Sequence, residues 1–137
     1  MKDDVLAFLA QHTRCVMSTV TSDGLPEAAM VGFSEAADLS LLIGTSKKSR
    51  KYQNLQNNPN VAIVIGFGTD ATVQYEGVAR ELDADELASR LDLHLKKLPG
   101  AKDYVKQSDQ VWLLVTPTWV RHLVHNPPHL EEMKDFS

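Results

Sequence analysis

From Thr72 to Leu82 the chain alternates its side chains so that Val73, Tyr75, Gly77 and Ala79 fall on one face of a long strand. A strand of that period buries one side only, so the sheet it joins must have an inside and an outside. Just upstream, Val61-Ala62-Ile63-Val64-Ile65 is apolar throughout and reads as a continuous core strand, with Gly66 to Asp70 as the intervening turn. Nearer the N-terminus, Arg14 to Thr21 and Pro26 to Phe33 pair as a hairpin around Ser22-Asp23-Gly24. After a polar loop, Ser34 to Asp38, a third strand covers Leu39 to Ile43. Five strands are thus in place by Leu82. Val111 to Thr116 and Trp119 to Val124 add two more, and the segment from Asn126, with Pro127-Pro128, is expected to be loosely held.

Helical patterns are few. Asp3 and Asp4 can cap a short helix carrying Val5, Leu6, Phe8 and Leu9. Lys47 to Asn57 forms a second helix, ended by Asn57-Asn58-Pro59, with Thr45 and Ser46 as available caps. Asp83 caps a third that runs through Leu87, Leu91 and Leu95, a core stripe, to Leu98, where Pro99-Gly100 stops it. This order lacks the strand-helix alternation of a doubly wound sheet. The expected fold is mostly β, a small antiparallel barrel with a few flanking α-helices, in a single domain over residues 1–137.

With 14 Lys plus Arg against 18 Asp plus Glu, the net charge of -4 argues against a nucleic-acid partner, which would require a broad basic face. No apolar run approaches the length of a membrane span, and the start of the chain lacks a signal-peptide pattern, so no membrane partner and a cytoplasmic location are expected. Cys15, inside the run Cys15-Val16-Met17, is expected to be a buried structural thiol.

Against this acidic background, the turn Gly44-Thr45-Ser46-Lys47-Lys48-Ser49-Arg50-Lys51 packs four cations into five residues. A strand that empties through hydroxyl residues into a helix presents free N–H groups and the positive end of the helix dipole at one point. A solvated basic face is the bland alternative. It sits badly with position, because Lys and Arg in a first helical turn oppose the dipole by a few tenths of a kcal/mol each unless an anion compensates (~0.3 kcal/mol). The turn therefore reads as a phosphate cradle.

Together with Leu55-Gln56-Asn57-Asn58-Pro59-Asn60-Val61-Ala62, this stretch resembles the flavin phosphate motif of the pyridoxamine 5'-phosphate oxidase-like proteins, which include general stress protein 26-like members. The likeness extends back through Gly24-Leu25-Pro26 and Met30-Val31 and forward through Gly77. It implies a split β-barrel that binds FMN at a homodimer interface. Implied cofactor residues are Gly44, Thr45, Ser46, Ser49, Arg50 and Lys51 around the phosphate, and Met30 and Val31, whose strand backbone lies along the flavin ring. The family's flavin-reaching Gln corresponds to Thr72, with Gln74 two residues on and facing the same side, and either can serve.

Departures from the pattern are informative. Ala29 and Ser34 stand where the oxidase carries Arg and Lys, and the oxidase's C-terminal Arg-X-His segment is absent after Trp119-Val120-Arg121-His122. Oxidation of pyridoxamine phosphate itself is therefore not expected. The resemblance implies a flavoprotein oxidoreductase acting on a small substrate, with a reduced nicotinamide as a candidate donor. The alternatives are a non-catalytic flavin-binding or stress-response module, or another phosphorylated cofactor such as a deazaflavin or pyridoxal phosphate. No catalytic side chain is singled out, and no metal site is expected from His122, His125 and His129, because the first two point to opposite faces of a strand and two prolines separate the third. Trp112 and Trp119 are expected as core or interface aromatics, one of them a candidate neighbour of a partner's flavin.

Overall fold

The computed structural model describes residues 2–68 and 70–136. Helix α1 (Lys2–Ala10) leads into strands β1 (Arg14–Val20), β2 (Pro26–Gly32), the short β3 (Ser34–Glu35) and β4 (Leu41–Ser46). Helix α2 (Arg50–Asn57) then precedes β5 (Asn60–Ile65) and β6 (Ala71–Glu81). Three short helices, α3 (Ala84–Ala88), α4 (Leu91–Lys97) and α5 (Lys102–Val105), lead to β7 (Gln110–His125) and β8 (Pro128–Met133). The strands run β2-β1-β5-β6-β7-β4-β3, with β8 on β7, and every pairing is antiparallel. This is a mostly antiparallel split barrel with flanking helices.

Alternation puts Cys15, Met17, Val73, Tyr75 and Ala79 inside, where they join Ile63, Ile65, Ile43 and Val115 in one core that Val5 and Leu9 of α1 close. Burial pushes the Cys15 thiol up to about 12. Tyr75 donates its hydroxyl to the carbonyls of Leu39 at 2.8 Å and Val115 at 3.2 Å, tying the barrel interior to β7 and the loop before β4. A second core, Leu42, Leu82, Trp112 and Leu114, lies on the other face of β4 and β7, under Leu87 and Leu91. Both faces of those strands are covered, which is why Leu41-Leu42-Ile43 and Val111 to Val115 are apolar without alternation.

Several local expectations are corrected. α2 begins at Arg50, not Lys47, and its cap is Ser49, because Thr45 and Ser46 still belong to β4. The stripe Leu87, Leu91, Leu95 spans two helices, broken at Ser89 and Arg90. The last two strands are one: β7 passes through Pro117, which stands opposite Gly77 at a register shift between Glu76 and Gly77. The segment after Asn126 is strand β8, paired with β7 from His125↔Pro128 to Val120↔Met133.

Candidate functional site

β4 reaches the basic turn through Gly44 on its outer side and Thr45 on its inner side. At Gly44 an added Cβ would come within 2.6 Å of Gln110 Nε2 and 3.0 Å of the Trp112 ring, so glycine is what allows those side chains to close over β4. Thr45 Oγ1 donates to Ser49 Oγ at 3.1 Å, Ser49 Oγ donates to the Ser46 carbonyl at 2.8 Å, and Tyr52 N donates to Ser49 Oγ at 3.2 Å. Ser49 thereby caps α2 and satisfies one of its free amides. Ser46 is bound elsewhere: its hydroxyl donates to Asp109 Oδ2 at 2.9 Å and accepts from Lys48 N at 3.0 Å. That hydrogen bond is the main reason the Asp109 carboxyl lies below the usual carboxylate range.

The four cations separate in space. Lys47 and Lys48 are exposed, the latter 4.0 Å from Asp109. Arg50 Nη1 reaches Glu27 Oε2 on β2 at 2.9 Å. Lys51 turns inward, half-buried beside Met17, Glu27, Ala28, Ala29 and Arg50, around a recess of about 70 Å³. Burial holds its ammonium below the usual lysine range. Among the described residues, no carboxylate pairs with it. The recess exceeds the ~30 Å³ share of one water and suits a small polyatomic anion rather than a ring system.

Beside the recess runs β2, a terminal strand of the sheet whose outer edge has no strand partner among the described residues. Ala29, Met30 and Val31 lie on it; Val31 is buried inward, and Met30 is exposed outward. Met30, Val16, Val64, Gln74 and Arg121 stand opposite one another across five strands, and the next row carries Ala28, Ser18, Ala62, Glu76 and Trp119. Thr72 shares that outer face, opposite Leu123. Asn54 of α2 bonds Thr19, one of the inward residues of β1. The fold therefore sets Gly44, Thr45, Ser46, Ser49, Arg50 and Lys51 along the junction of β4 and α2, with Arg50 and Lys51 against β2, while Thr72 and Gln74 lie on β6, on the outer sheet face that Met30 shares.

Other partners of the site were not foreseen. Glu27 and Asp109 are carboxylates from distant parts of the chain. Ser34, standing where an oxidase Lys would be, is buried and lies 2.6 Å from His94 Nδ1. A histidine placed among Leu91 and Leu95 was the one signal in the sequence. Across the β7–β8 hairpin His122 stands opposite Glu131 and His129 opposite Val124, and His129 pairs with Glu131 at 2.7 Å.

The sequence profile described as pyridoxamine 5'-phosphate oxidase matches residues 1–124. The chain belongs to this family. Among curated relatives, the pyridoxine/pyridoxamine 5'-phosphate oxidase of Thermosynechococcus vestitus is 30% identical over 87 residues, covering 63% of this chain and 41% of that protein. General stress protein 26 of Bacillus subtilis is 30% identical over 95 residues, 66% of each chain. The chain thus spans about 41% of that oxidase and about 66% of that stress protein. A solved heme binding protein from Mycobacterium smegmatis superposes with a TM-score of 0.85 at 22% identity, over 97% of this chain and 57% of that one. At that identity the likeness is one of fold. No helix among the described residues is long and apolar enough to cross a membrane.

Proposed function

We propose that this member of the pyridoxamine 5'-phosphate oxidase family binds FMN by its phosphate at the basic corner and acts, as a homodimer, as a flavin-dependent oxidoreductase on a small substrate. The observation that carries the reading is Lys51: a half-buried ammonium that forms no ion pair among the described residues, next to a helix N-terminus and a recess of about 70 Å³ whose one carboxylate, Glu27, is paired with Arg50. Thr45 Oγ1, the first amides of α2 and Arg50 complete a donor set of the kind that a phosphate dianion takes. The ring system would lie outside the recess, along the bare edge of β2 at Met30 and Val31. Bound flavin supplies hydride or electron transfer, so no acid–base pair is required of the protein.

The same geometry supports dimerisation. The chain does not bring Thr72 or Gln74 to its own corner, whereas the outer face, with exposed Ala62 and half-buried Val16, Val64 and Trp119 in two adjacent rows, offers a surface on which a second copy can present them. The structural likeness to a heme binding protein favours a second reading, in which this barrel holds a different flat cofactor without turnover. Absorbance titration of the purified protein with FMN and, separately, with hemin discriminates the two. The first reading predicts FMN uptake and a flavin band that bleaches with NADPH and returns in air. Saturable hemin uptake with no binding of FMN would contradict it.

A further inference from the structure

On the outer face of β4, away from Thr45 and the basic turn, a cavity of about 570 Å³ lies between the sheet and the segment from α4 to α5. That volume is within the range of small-molecule sites. The cavity touches Gly44 of the phosphate corner and Gly32 at the end of β2, but not Met30, Val31 or the other residues assigned there. Its inner wall is built from His94, Trp112 and Gln110, with Leu98 adding apolar surface and the exposed Arg14 standing at the rim. Trp112 and His94 meet edge to face, with ring centres 5.0 Å apart and planes at 84°, and are 5% and 2% exposed.

Charge is withheld from this wall. Lys97 borders the cavity, but its ammonium is paired with Glu35, donates to the Leu9 carbonyl at 3.2 Å and sits 4.0 Å over the Phe33 ring. Burial, reinforced by the nearby Lys97, pushes the His94 imidazole down to about 4, so the ring is neutral near pH 7. Ser34 Oγ and His94 Nδ1 are 2.6 Å apart, and with the serine hydroxyl as donor the neutral ring keeps its proton on Nε2. The Gln110 amide offers a second N–H group. An apolar slot with two neutral donors and a sequestered cation selects for a flat ligand with carbonyl acceptors and disfavours an anion in its interior.

We propose that this cavity binds a flat, uncharged aromatic carbonyl compound of the quinone class, with His94 and Gln110 donating to its oxygens and Trp112 forming the apolar wall. The test is isothermal titration calorimetry on the full chain with menadione, its carbonyl-free counterpart 2-methylnaphthalene, and the anionic 1,4-naphthoquinone-2-sulfonate. Cys15 is buried, so thiol addition to the quinone does not interfere. Menadione is expected to bind about tenfold or more tightly than the sulfonate. The double variant Ser34→Ala/His94→Phe removes both members of a buried hydrogen bond and so spares the fold. It is expected to weaken menadione binding about tenfold or more while leaving 2-methylnaphthalene unchanged. Gln110→Leu, which alters one side chain at the cavity, is expected to weaken menadione selectively and carries the test should the double variant not fold. Equal binding of menadione and the sulfonate, unchanged menadione affinity in the variants, or competitive displacement of menadione by FMN would each overturn the assignment.

Discussion

Arg50 Nη1 lies 2.9 Å from Glu27 Oε2, so the first cation of α2 is held by a carboxylate on β2. Asn54 Nδ2 donates to the other oxygen of the same carboxylate at 2.9 Å, locking α2 against the edge strand. An incoming phosphate dianion must share Arg50 with Glu27. Glu27→Gln removes the competing charge and keeps an oxygen for Asn54, so it is expected to tighten FMN binding a few-fold. The Arg50 side chain is 72% exposed, so the loss of the ion pair should cost less than about 1 kcal/mol of stability. Fluorescence titration with FMN, with urea unfolding alongside, checks both; weaker FMN binding would count against the shared-anion picture.

A second copy of the chain is expected on the outer face that carries Ser18, Ala62, Glu76 and Trp119 in one row. Ala62 is exposed there, and Ala62→Arg would set an unpaired charge into the contact. Sedimentation velocity should show the dimer weakened about tenfold or more, with FMN affinity falling in parallel. A dimer that persists unchanged would place the interface elsewhere.

His94 gives the stability a definite pH dependence. Its folded value of about 4 lies below the ordinary 6.5, so the unfolded chain binds the extra proton first. Stability from this group is whole above pH 6.5 and is lost as the pH falls toward about 4, on the order of 3 kcal/mol in all. Urea midpoints measured across that window should fall less steeply in Ser34→Ala/His94→Phe than in the native chain. Parallel slopes would show that His94 is not the group responsible.

Gly77 stands where β6 and β7 change register. A Cβ there would come within 2.5 Å of the Thr116 carbonyl oxygen and 2.9 Å of a Val115 methyl carbon, and backbone cannot yield as a flexible side chain does. Gly77→Ala is expected to cost about 1–3 kcal/mol, read as a lowered urea midpoint. No loss of stability would mean that the two strands can slide apart at this point.

Most of the barrel was legible because strand period and turn residues are local properties. Val73 to Ala79 alternates and is half-buried; Leu41 to Ile43 and Val111 to Val115 do not alternate and are covered on both sides. What escaped is set by contacts at a distance. Pro117 reads as a strand breaker, yet β7 continues because its neighbour Gly77 sits at the register shift. Pro128 reads as the end of structure but opens β8, a position that does not require its missing N–H within the strand. At the corner, four consecutive-looking cations end in different surroundings because Glu27 and Asp109 arrive from other elements to claim Arg50 and Lys48. The Ser34–His94 bond joins positions 60 apart in sequence, which no spacing rule could pair.

The most direct test of the account is the FMN dissociation constant of the native chain against Arg50→Ala/Lys51→Ala, by flavin fluorescence titration. Loss of two charge-assisted phosphate contacts predicts binding weaker by about tenfold or more, on the order of 1.5 to 3 kcal/mol. An unchanged dissociation constant would contradict the assignment of this corner to a phosphate.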